Sequence, residues 1–395
     1  MRVNKSTEHS RHPQKMLTSI KTPSVIIIMK YIFEYGLYLS ILIATIYVTS
    51  KLLGITPAKH KYASLDGLRG ICAAMVAVFH LYWRAGGESD IYWSLEYITL
   101  SNVKRAIYLT GELSVGVFFM LSAFLFFKKA LADSFDVKSF AISRFMRIYP
   151  PVVVLLFIIY IATFIMNPDN HTPVSQWFIS SLPFIFNPPG ANINGVSLQI
   201  ATSGVFWTLV WELRLYLAIP FLYLIMKNIK YKEAFVIFLM GCVLLFKYFI
   251  NNEQHLSYIM YFLAGFLVAT IKSNKRPSDI ICALLLFAAI YFTRHAYNTT
   301  TPLYMFIVFY TIKCGCDYFG LLTSLPVTML GTCSFSLYLV HGITQTVSKH
   351  YLYSAGNYVW QICAIIAAGI IAPVMYKYVE SRSIIHKRPQ LQIAK

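Results

Sequence analysis

The chain has few charged residues for its length. Only 13% of its 395 residues are Asp, Glu, Lys or Arg, whereas 57% are hydrophobic. A soluble domain of this size carries about twice as large a share of charged residues, so the composition excludes a soluble globular fold. It indicates instead a protein that crosses a lipid bilayer several times.

Several motifs of soluble enzymes are also missing. The sequence has no GxxxxGK[ST] phosphate loop, no dinucleotide-binding glycine motif and no CxxC pair, which argues against nucleotide-binding and zinc-binding functions. The seven cysteines lie in or beside apolar stretches, where thiols pack as small apolar groups, so we expect no metal. A repeat of fixed period and two halves of inverted topology, which many transporters have, are not visible either.

Apolar stretches of about 16 to 22 residues recur along the chain, near the length that crosses a hydrocarbon core of about 30 Å. They predict an all-α fold, a polytopic membrane helical bundle of ten core transmembrane helices with an extra N-terminal apolar helix over 24–49. The ten core spans are predicted near residues 67–84, 112–128, 148–166, 205–226, 234–250, 256–271, 279–293, 301–316, 326–348 and 357–378.

Basic residues are distributed unevenly over the connections between these spans. Loops rich in Lys and Arg alternate with poor ones, and the segment 167–204 has no Lys or Arg at all. By the positive-inside rule the basic loops are cytoplasmic. The net charge of +18 therefore reflects topology, and because it is dispersed over short loops it does not indicate nucleic acid binding.

The N-terminal region conflicts with this scheme. Residues 1–22 carry five basic residues, and a spanning helix after them would place this tail outside the cell if the core starts inside. Either the helix spans and the tail is exported against the charge bias, or the helix lies partly in the interface and the tail stays in the cytoplasm.

One apolar helix carries an ionisable residue near each end. Arg69 and His80 are eleven positions apart, which is close to three helical turns, so both share a face about 16 Å apart along the axis. Ionisable groups inside a bilayer are costly and by default mark a functional site. His80 is a candidate general base because an imidazole ordinarily titrates near neutrality.

Three ionisable side chains from separate helices are predicted at one depth. Counted at 1.5 Å per residue, His80, Glu212 and His341 each lie roughly 20 Å from the cytoplasmic edge. This convergence favours a single site in which Glu212 orients His80. Two alternatives stay open, namely a packing role for His341 and a role for Glu212 as the counter-ion of Arg214.

A second group of charges lies at the predicted cytoplasmic edge. Arg69 has Asp66 three residues before it, and Arg144 and Arg147 are one helical turn apart, which suits a fork onto phosphate oxygens. The same arginines are also typical of membrane anchors, so contact with the headgroups of membrane lipid is the alternative.

Seven segments resemble a known family. In chain order they are DGLRG at 66–70 followed by His80, GVFFMLSAFLFF at 116–127, SRFMRIYP at 143–150, WTLVWELRLYLAIP at 207–220, YFLAGFLVA at 261–269, LGTCSFSLYLVHGI at 330–343 and KYVESRS at 377–383. Their order and spacing are similar to those of the acyltransferase-3 family of membrane acyltransferases. The resemblance implies transfer of an acyl group from a cytoplasmic coenzyme A thioester to a hydroxyl on the other side of the membrane, often on a surface polysaccharide.

The resemblance also implies roles for individual residues. The family's Arg-x10-His pair corresponds to Arg69 and His80, its RxxR pair to Arg144 and Arg147, and its acidic residue on a tryptophan-rich helix to Glu212. His80 and Glu212 are then catalytic. The four residues Asp66, Arg69, Arg144 and Arg147 are expected to hold acyl-coenzyme A, most simply acetyl-coenzyme A, as co-substrate.

Four further residues are candidates for supporting the oxyanion or the acceptor, namely Ser122, Trp207, Tyr338 and His341. A covalent route through Ser122, Cys72 or His80 itself is the alternative within catalysis. A multi-span transporter or flippase for a lipid-linked glycan or another solute is the alternative outside it, because such a protein would also carry buried His and Glu.

The resemblance also bears on the acceptor and the location. The expected acceptor is a surface glycan such as lipopolysaccharide O-antigen or capsule, and the expected location is the bacterial cytoplasmic (inner) membrane. Segment 168–203, rich in aromatic residues, Asn, Ser, Gly and Pro, is the predicted acceptor surface, with a packed interfacial loop as the alternative.

Two positions depart from the family pattern. Ala123 stands where Gly is usual, and Arg214 adds a charge close to the proposed centre.

Three regions are expected along the chain. They are a basic tail with the extra helix over 1–61, the transmembrane domain over 62–383 and a basic cytoplasmic tail over 384–395.

Overall fold

The protein is described by a computed structural model that covers residues 21–57, 62–86, 95, 97–131, 135–175, 177, 192–250, 252–272 and 275–385. Most of these residues lie in helices. Three predicted features lie outside the described residues, namely the basic tail over 1–20, the middle of the acceptor surface over 178–191 and the end of the second tail over 386–395.

The long apolar runs form helices. Lipid offers no partners to backbone N–H and C=O groups, and a helix satisfies these groups within its own segment. The first four helices are α1 (Lys21–Leu52), α2 (Ala63–Ala85), α3 (Ser101–Ala130) and α4 (Val137–Met166). A strand pair, β1 (Asn192–Ile193) and β2 (Val196–Ser197), leads into the short α5 (Leu198–Ala201). The following elements are α6 (Phe206–Lys227), α7 (Lys232–Phe246), α8 (Glu253–Thr270), α9 (Asp279–Phe292), α10 (Thr301–Lys313), α11 (Leu325–Thr332), α12 (Ser334–Leu352), a 3₁₀ turn (Tyr353–Ala355), α13 (Asn357–Met375), a π-helical turn (Tyr376–Glu380) and α14 (Ser381–Ile385).

Each of the ten predicted core spans falls on a helix, and the ninth is bent by 74° between α11 and α12. Six helices of the described residues are long and apolar enough to cross a membrane, or seven if the bent pair is one span. The helices α7, α9 and α10 have 15, 14 and 13 residues, about 20 Å against about 30 Å of hydrocarbon. The helical membrane bundle is therefore confirmed, whereas the number ten stays a prediction.

Helix α2 lies at the centre of the bundle, where it packs against α3, α11 and α12. Glycines permit the closest of these approaches. A Cβ on Gly70 would lie 2.5 Å from the backbone nitrogen of Gly331, and a Cβ on Gly67 would overlap the carbonyl of Leu322. The DGLRG segment therefore sets the distance between α2 and the bent helix pair that carries His341.

The extra helix α1 is a peripheral member of the bundle. It packs against α13 and α11, with Tyr38 and Leu42 fully buried and the Tyr38 hydroxyl 2.6 Å from Oε1 of Gln361. On its other face Ile26 and Phe33 are 68% and 71% exposed. An apolar face without protein contacts is what a helix at the edge of a membrane bundle presents to lipid.

Among the described residues, the β1–β2 hairpin is the exception to the predicted all-helical fold. Asn194 and Gly195 form its two-residue turn with φ of +48° and +79°, which is typical of a type I′ turn. The buried Asn194 amide accepts from the backbone of Thr172 at 2.8 Å and donates to Thr163 at 3.1 Å. The hairpin thereby anchors the chain where it enters α5 and α6.

Candidate active site

Two histidines meet in the interior of the bundle. His80 on α2 and His341 on α12 are only 8% and 1% exposed. Nε2 of His341 lies 3.0 Å from Nδ1 of His80, and the two rings are stacked with centroids 5.1 Å apart. The predicted equal depth of these two residues therefore corresponds to a direct contact.

The hydrogen bonds around the histidine pair assign its protons. Nδ1 of His341 lies 3.3 Å from the carbonyl of Leu337, which can only accept, so this nitrogen carries the hydrogen. In a neutral ring, Nε2 of His341 is then an acceptor, and Nδ1 of His80 donates to it. Nε2 of His80 is thus left with its lone pair, which is the state that a general base needs.

Glu212 is not the side chain that orients His80. Its Oε1 accepts from Tyr216 and from Ser122, the latter at 3.4 Å. The side-chain partner of His80 is His341, so the hydrogen bond that was expected from Glu212 comes from His341. The equal depth of Glu212 and His80 did not determine the direction in which each side chain points. A catalytic role for Glu212 stays a prediction.

The charge of Arg214 is also further from the centre than expected. Its side chain is exposed, and the guanidinium lies over the Trp211 ring at 4.8 Å. Arg214 lines neither of the two cavities described below. This departure from the family pattern therefore adds no charge to the site.

The two hydroxyls predicted to support the oxyanion are both engaged in hydrogen bonds. Oγ1 of Thr208 donates to the carbonyl of Val205 at 2.8 Å, so the Tyr338 hydroxyl, 2.7 Å away, donates to Thr208. The Ser122 hydroxyl donates to Glu212. Either hydroxyl must exchange its partner before it donates to a substrate.

The arginines at the cytoplasmic end have different surroundings. Arg69 donates through Nη2 to the carbonyl of Gly331 at 2.8 Å and lies 3.6 Å from Asp66. Arg147 lines the same cavity as Arg69. Arg144 does not line that cavity and lies over an aromatic ring of α3 at 4.7 Å. Arg69 and Arg147 therefore share a wall of this cavity, and the phosphate fork of Arg144 with Arg147 stays a prediction.

An inner cavity lies between α2, α3, α4, α6 and α12, at the end that the basic loops mark as cytoplasmic. Its volume is about 70 Å³. The polar side chains that line it are Arg69, Ser122, Arg147, Thr208, Glu212, Ser334 and Tyr338. Two of the four residues predicted to bind the acyl donor, Arg69 and Arg147, therefore line this cavity.

An outer cavity of about 590 Å³ lies at the opposite end, beside the histidine pair. His80 lines it together with Trp207 from α6 and with Glu112 from the N-terminal half of α3. Val115 and Tyr338 line both cavities and therefore form the wall between them. These two side chains therefore lie between a molecule in the inner cavity and a molecule in the outer cavity.

Sequence reasoning missed two buried charges near these cavities. Arg84, one turn after the histidine on α2, is 3% exposed and donates to Ser203 at 3.2 Å and to Thr346 at 2.9 Å. Glu380 is 4% exposed and accepts from Ser336 at 2.8 Å. Helical spacing from His80 could have identified the first, and the KYVESRS segment contains the second.

The described residues hold no cluster of three His, Cys, Asp or Glu side chains that could bind a metal ion. Cys72 is buried on α2 and lines neither cavity. Ser122 does line the inner cavity. Of the three predicted nucleophiles for a covalent route, Ser122 and His80 line a cavity and Cys72 does not.

These features define a helical membrane protein with a cavity at each end and a buried histidine pair next to the wall between them. The acyltransferase-3 family, described as an acyltransferase domain, matches residues 62–378. Because the match covers most of the chain, this protein belongs to that family. No solved structure matches the chain.

Two curated relatives illustrate the similarity. A protein of Acidianus two-tailed virus named "Putative acetyltransferase" is 28% identical over 222 residues, which is 54% of this chain and 58% of that protein. A protein of Staphylococcus aureus (strain COL) named "Putative O-acetyltransferase" is 28% identical over 130 residues, which is 31% of this chain and 18% of that protein. The chain thus spans little more than half of the first relative and under a fifth of the second.

Proposed function

We propose that this chain is a membrane O-acyltransferase that moves an acyl group, most simply acetyl, from cytoplasmic acyl-coenzyme A to a hydroxyl of a glycan outside the cytoplasm. The observation that carries the proposal is the pair of cavities, which share the wall of Val115 and Tyr338 close to His80. A donor from one side and an acceptor from the other then react without either crossing the membrane.

The inner cavity is the proposed donor site. Coenzyme A carries phosphates that cannot enter hydrocarbon, and Arg69 and Arg147 are the cations that line this cavity. Asp66 holds the Arg69 guanidinium, and Arg144 adds positive charge from the same helix as Arg147. At about 70 Å³ the cavity has room for only a few water molecules. The pantetheine arm therefore enters only after side chains around it move.

His80 is the proposed general base. Its Nε2 takes the proton of the acceptor hydroxyl while that oxygen attacks the thioester carbonyl. The tetrahedral intermediate collapses to the ester as the C–S bond breaks, and the imidazolium gives its proton to the departing thiolate. Throughout these steps Nε2 of His341 accepts a hydrogen bond from the N–H at Nδ1 of His80. This hydrogen bond orients the His80 ring and stabilises its charged form.

Tyr338 is the proposed donor to the oxyanion, because its side chain lines both cavities. It must first release Thr208. Ser122 in the inner cavity is the alternative, and Glu212 is proposed to hold that hydroxyl in place. Trp207 in the outer cavity is proposed to contact the acceptor.

The proposed location is the bacterial cytoplasmic (inner) membrane, where the acceptor is a surface glycan such as lipopolysaccharide O-antigen or capsule. The transmembrane domain over 62–383 is proposed to contain the whole site, with 1–61 and 384–395 as flanking segments. Every residue to which a role is given above lies within 62–383, which supports this division.

Transfer of radiolabelled acetyl from acetyl-coenzyme A to the purified surface glycan of the host tests the proposal. Membranes would contain the wild-type chain, His80→Ala, or His350→Ala as a matched control, since His350 is exposed at the end of α12. We expect labelling with the wild type and the control, and its loss with His80→Ala. Transfer should persist in detergent, whereas a transporter would require intact membranes and a gradient. Equal labelling with and without His80 would refute its role as the base.

A further inference from the structure

Part of the outer cavity wall is a short turn between α5 and α6, formed by residues 202–205. Ser203, Gly204 and Val205 of this turn line the cavity together with His80. Ser203 has a φ of +51°, in the left-handed region that a residue with a side chain rarely adopts unless its surroundings enforce it. The 202–205 turn therefore depends on its neighbours for its shape.

Arg84 holds this turn from the end of α2. Its side chain is buried and donates from three nitrogens. Nε donates to the Ser203 hydroxyl at 3.2 Å, Nη2 to the carbonyl of Ile200, and Nη1 to the Thr346 hydroxyl at 2.9 Å. The planar guanidinium presents these donors in a fixed fork. The three hydrogen bonds form a clamp that joins α2, the 202–205 turn with the end of α5, and α12.

The turn also lies directly against α12, next to the second histidine. Gly342 follows His341, and a Cβ on Gly342 would lie 2.7 Å from the backbone nitrogen of Ser203. Oε1 of Gln345 accepts from the Ser203 hydroxyl at 3.5 Å, and Nε2 of the same amide donates to the carbonyl of Ala77 on α2 at 2.9 Å. The turn is therefore attached to both helices that carry the histidine pair.

The position of the turn also affects the wall between the two cavities. The carbonyl of Val205 accepts from the Thr208 hydroxyl at 2.8 Å, and Thr208 is the partner of the Tyr338 hydroxyl at 2.7 Å. A displacement of the turn would therefore move two things together. One is the surface that a molecule in the outer cavity contacts, and the other is the partner of the proposed oxyanion donor.

Resting on the function proposed above, we propose that Arg84 is a positioning residue for acyl transfer, which holds the 202–205 turn so that the acceptor lies within reach of Nε2 of His80. Arg84 lines neither cavity, so it acts through Ser203 and not by contact with a substrate. The turn lines the outer cavity and not the inner one. Loss of the clamp should therefore impair use of the acceptor and leave binding of the acyl donor unchanged.

Steady-state acetyl transfer by the purified full chain in detergent tests this role, with the surface glycan and acetyl-coenzyme A varied in turn. Arg84→Lys keeps the charge but replaces the fork by a single ammonium group. We expect its kcat/KM for the acceptor to fall at least about tenfold, with a higher acceptor KM, because hydrogen bonds from a buried charged group are lost. The donor KM should change less than about twofold. A purely structural role would instead lower the fraction of active protein, and so kcat, at unchanged KM for both substrates.

Two further substitutions and a double variant keep the test specific. Ser203→Ala removes the hydroxyl that accepts from Arg84, so it should raise the acceptor KM as Arg84→Lys does. The double variant should lose little more than the larger single effect, since both changes break one contact. Arg294→Lys is the matched control, because Arg294 is exposed between α9 and α10, and it should keep the wild-type kinetics.

Hydrogen exchange at the backbone of the turn gives a readout that does not depend on activity. The amide of Gly204 donates to the carbonyl of Gln199 at 2.7 Å, and that of Ser203 donates to Ile200 at 3.0 Å. Both amides should exchange faster in Arg84→Lys than in the wild type, because the clamp no longer holds the turn closed. The amides of α8 should keep their rates.

The positioning role and the proposed function fail separately. If acetyl transfer depends on His80 while Arg84→Lys and Ser203→Ala keep the wild-type acceptor KM, the positioning role alone is overturned. Absence of His80-dependent transfer, with faster exchange of the turn in Arg84→Lys, would overturn the proposed function and support the clamp. Unchanged exchange in a folded Arg84→Lys protein would overturn the clamp whatever the result for transfer.

Discussion

Replacement of His341 by alanine tests how the base is oriented. The 3.0 Å hydrogen bond holds Nδ1 of His80 as the donor and leaves Nε2 as the acceptor. Without His341 this buried N–H loses its side-chain partner and is left to the backbone carbonyl of Val76, which costs at most about 1–3 kcal/mol. The ring then relieves the cost by rotating or by moving its hydrogen to Nε2, and both responses remove the base from the acceptor side. We therefore expect kcat to fall about 5- to 150-fold.

The assay is steady-state acetyl transfer in detergent, with kcat, the donor KM and the melting temperature measured on the same preparations. His341→Gln is the matched variant, because its amide oxygen can accept from Nδ1 of His80 and should restore part of the rate. The pH–rate profile should also change, since a residue with a purely structural role would not alter the proton affinity of the base. A folded His341→Ala protein with the wild-type kcat and pH profile would refute the reasoning.

Three further substitutions test the rest of the site. Arg147→Gln should raise the donor KM about tenfold or more, because a hydrogen bond to a charged group contributes about 1.5–3 kcal/mol. Arg144→Gln should raise the donor KM less. Equal effects of the two substitutions in steady-state kinetics would contradict the assignment of the inner cavity as the donor site. Tyr338→Phe should lower kcat about 100-fold at an unchanged donor KM if it supplies the oxyanion donor, so a wild-type kcat would exclude that role. Gly331→Val should destabilise the fold by about 1–3 kcal/mol, since any Cβ there overlaps the carbonyl of Asp66; an unchanged melting temperature in thermal unfolding would contradict the close packing.

The helices and the broad position of the site were accessible from the sequence. Apolar length predicts helices in lipid because backbone groups have no other partner there. Helical spacing placed Arg69 and His80 on one face of α2, and the structure has the first at the inner cavity and the second at the outer one. Depth counting also brought His341 to the level of His80.

The side-chain contacts within the site could not be predicted from the sequence. Depth is one coordinate, and it leaves the rotation of each helix about its axis undetermined, so Glu212 was assigned to His80 although it faces Ser122. Glu112 was passed over because it lies at the first residue of a predicted span, where a charge is ordinary. The bend after α11 was missed as well, since no proline lies between Thr332 and Ser334 to indicate it.

A catalytic passage that opens toward both faces of a membrane risks becoming a leak for ions and protons. In this protein the wide outer cavity ends at Val115 and Tyr338, and beyond them only about 70 Å³ remains between side chains such as Phe118 and Phe335. The polar side chains of this small cavity leave room for a few water molecules, but its narrowness between aromatic rings hinders the passage of hydrated ions. If the proposed function is correct, the side chains that move aside for the acyl donor also limit ion leakage across the membrane while no donor is bound.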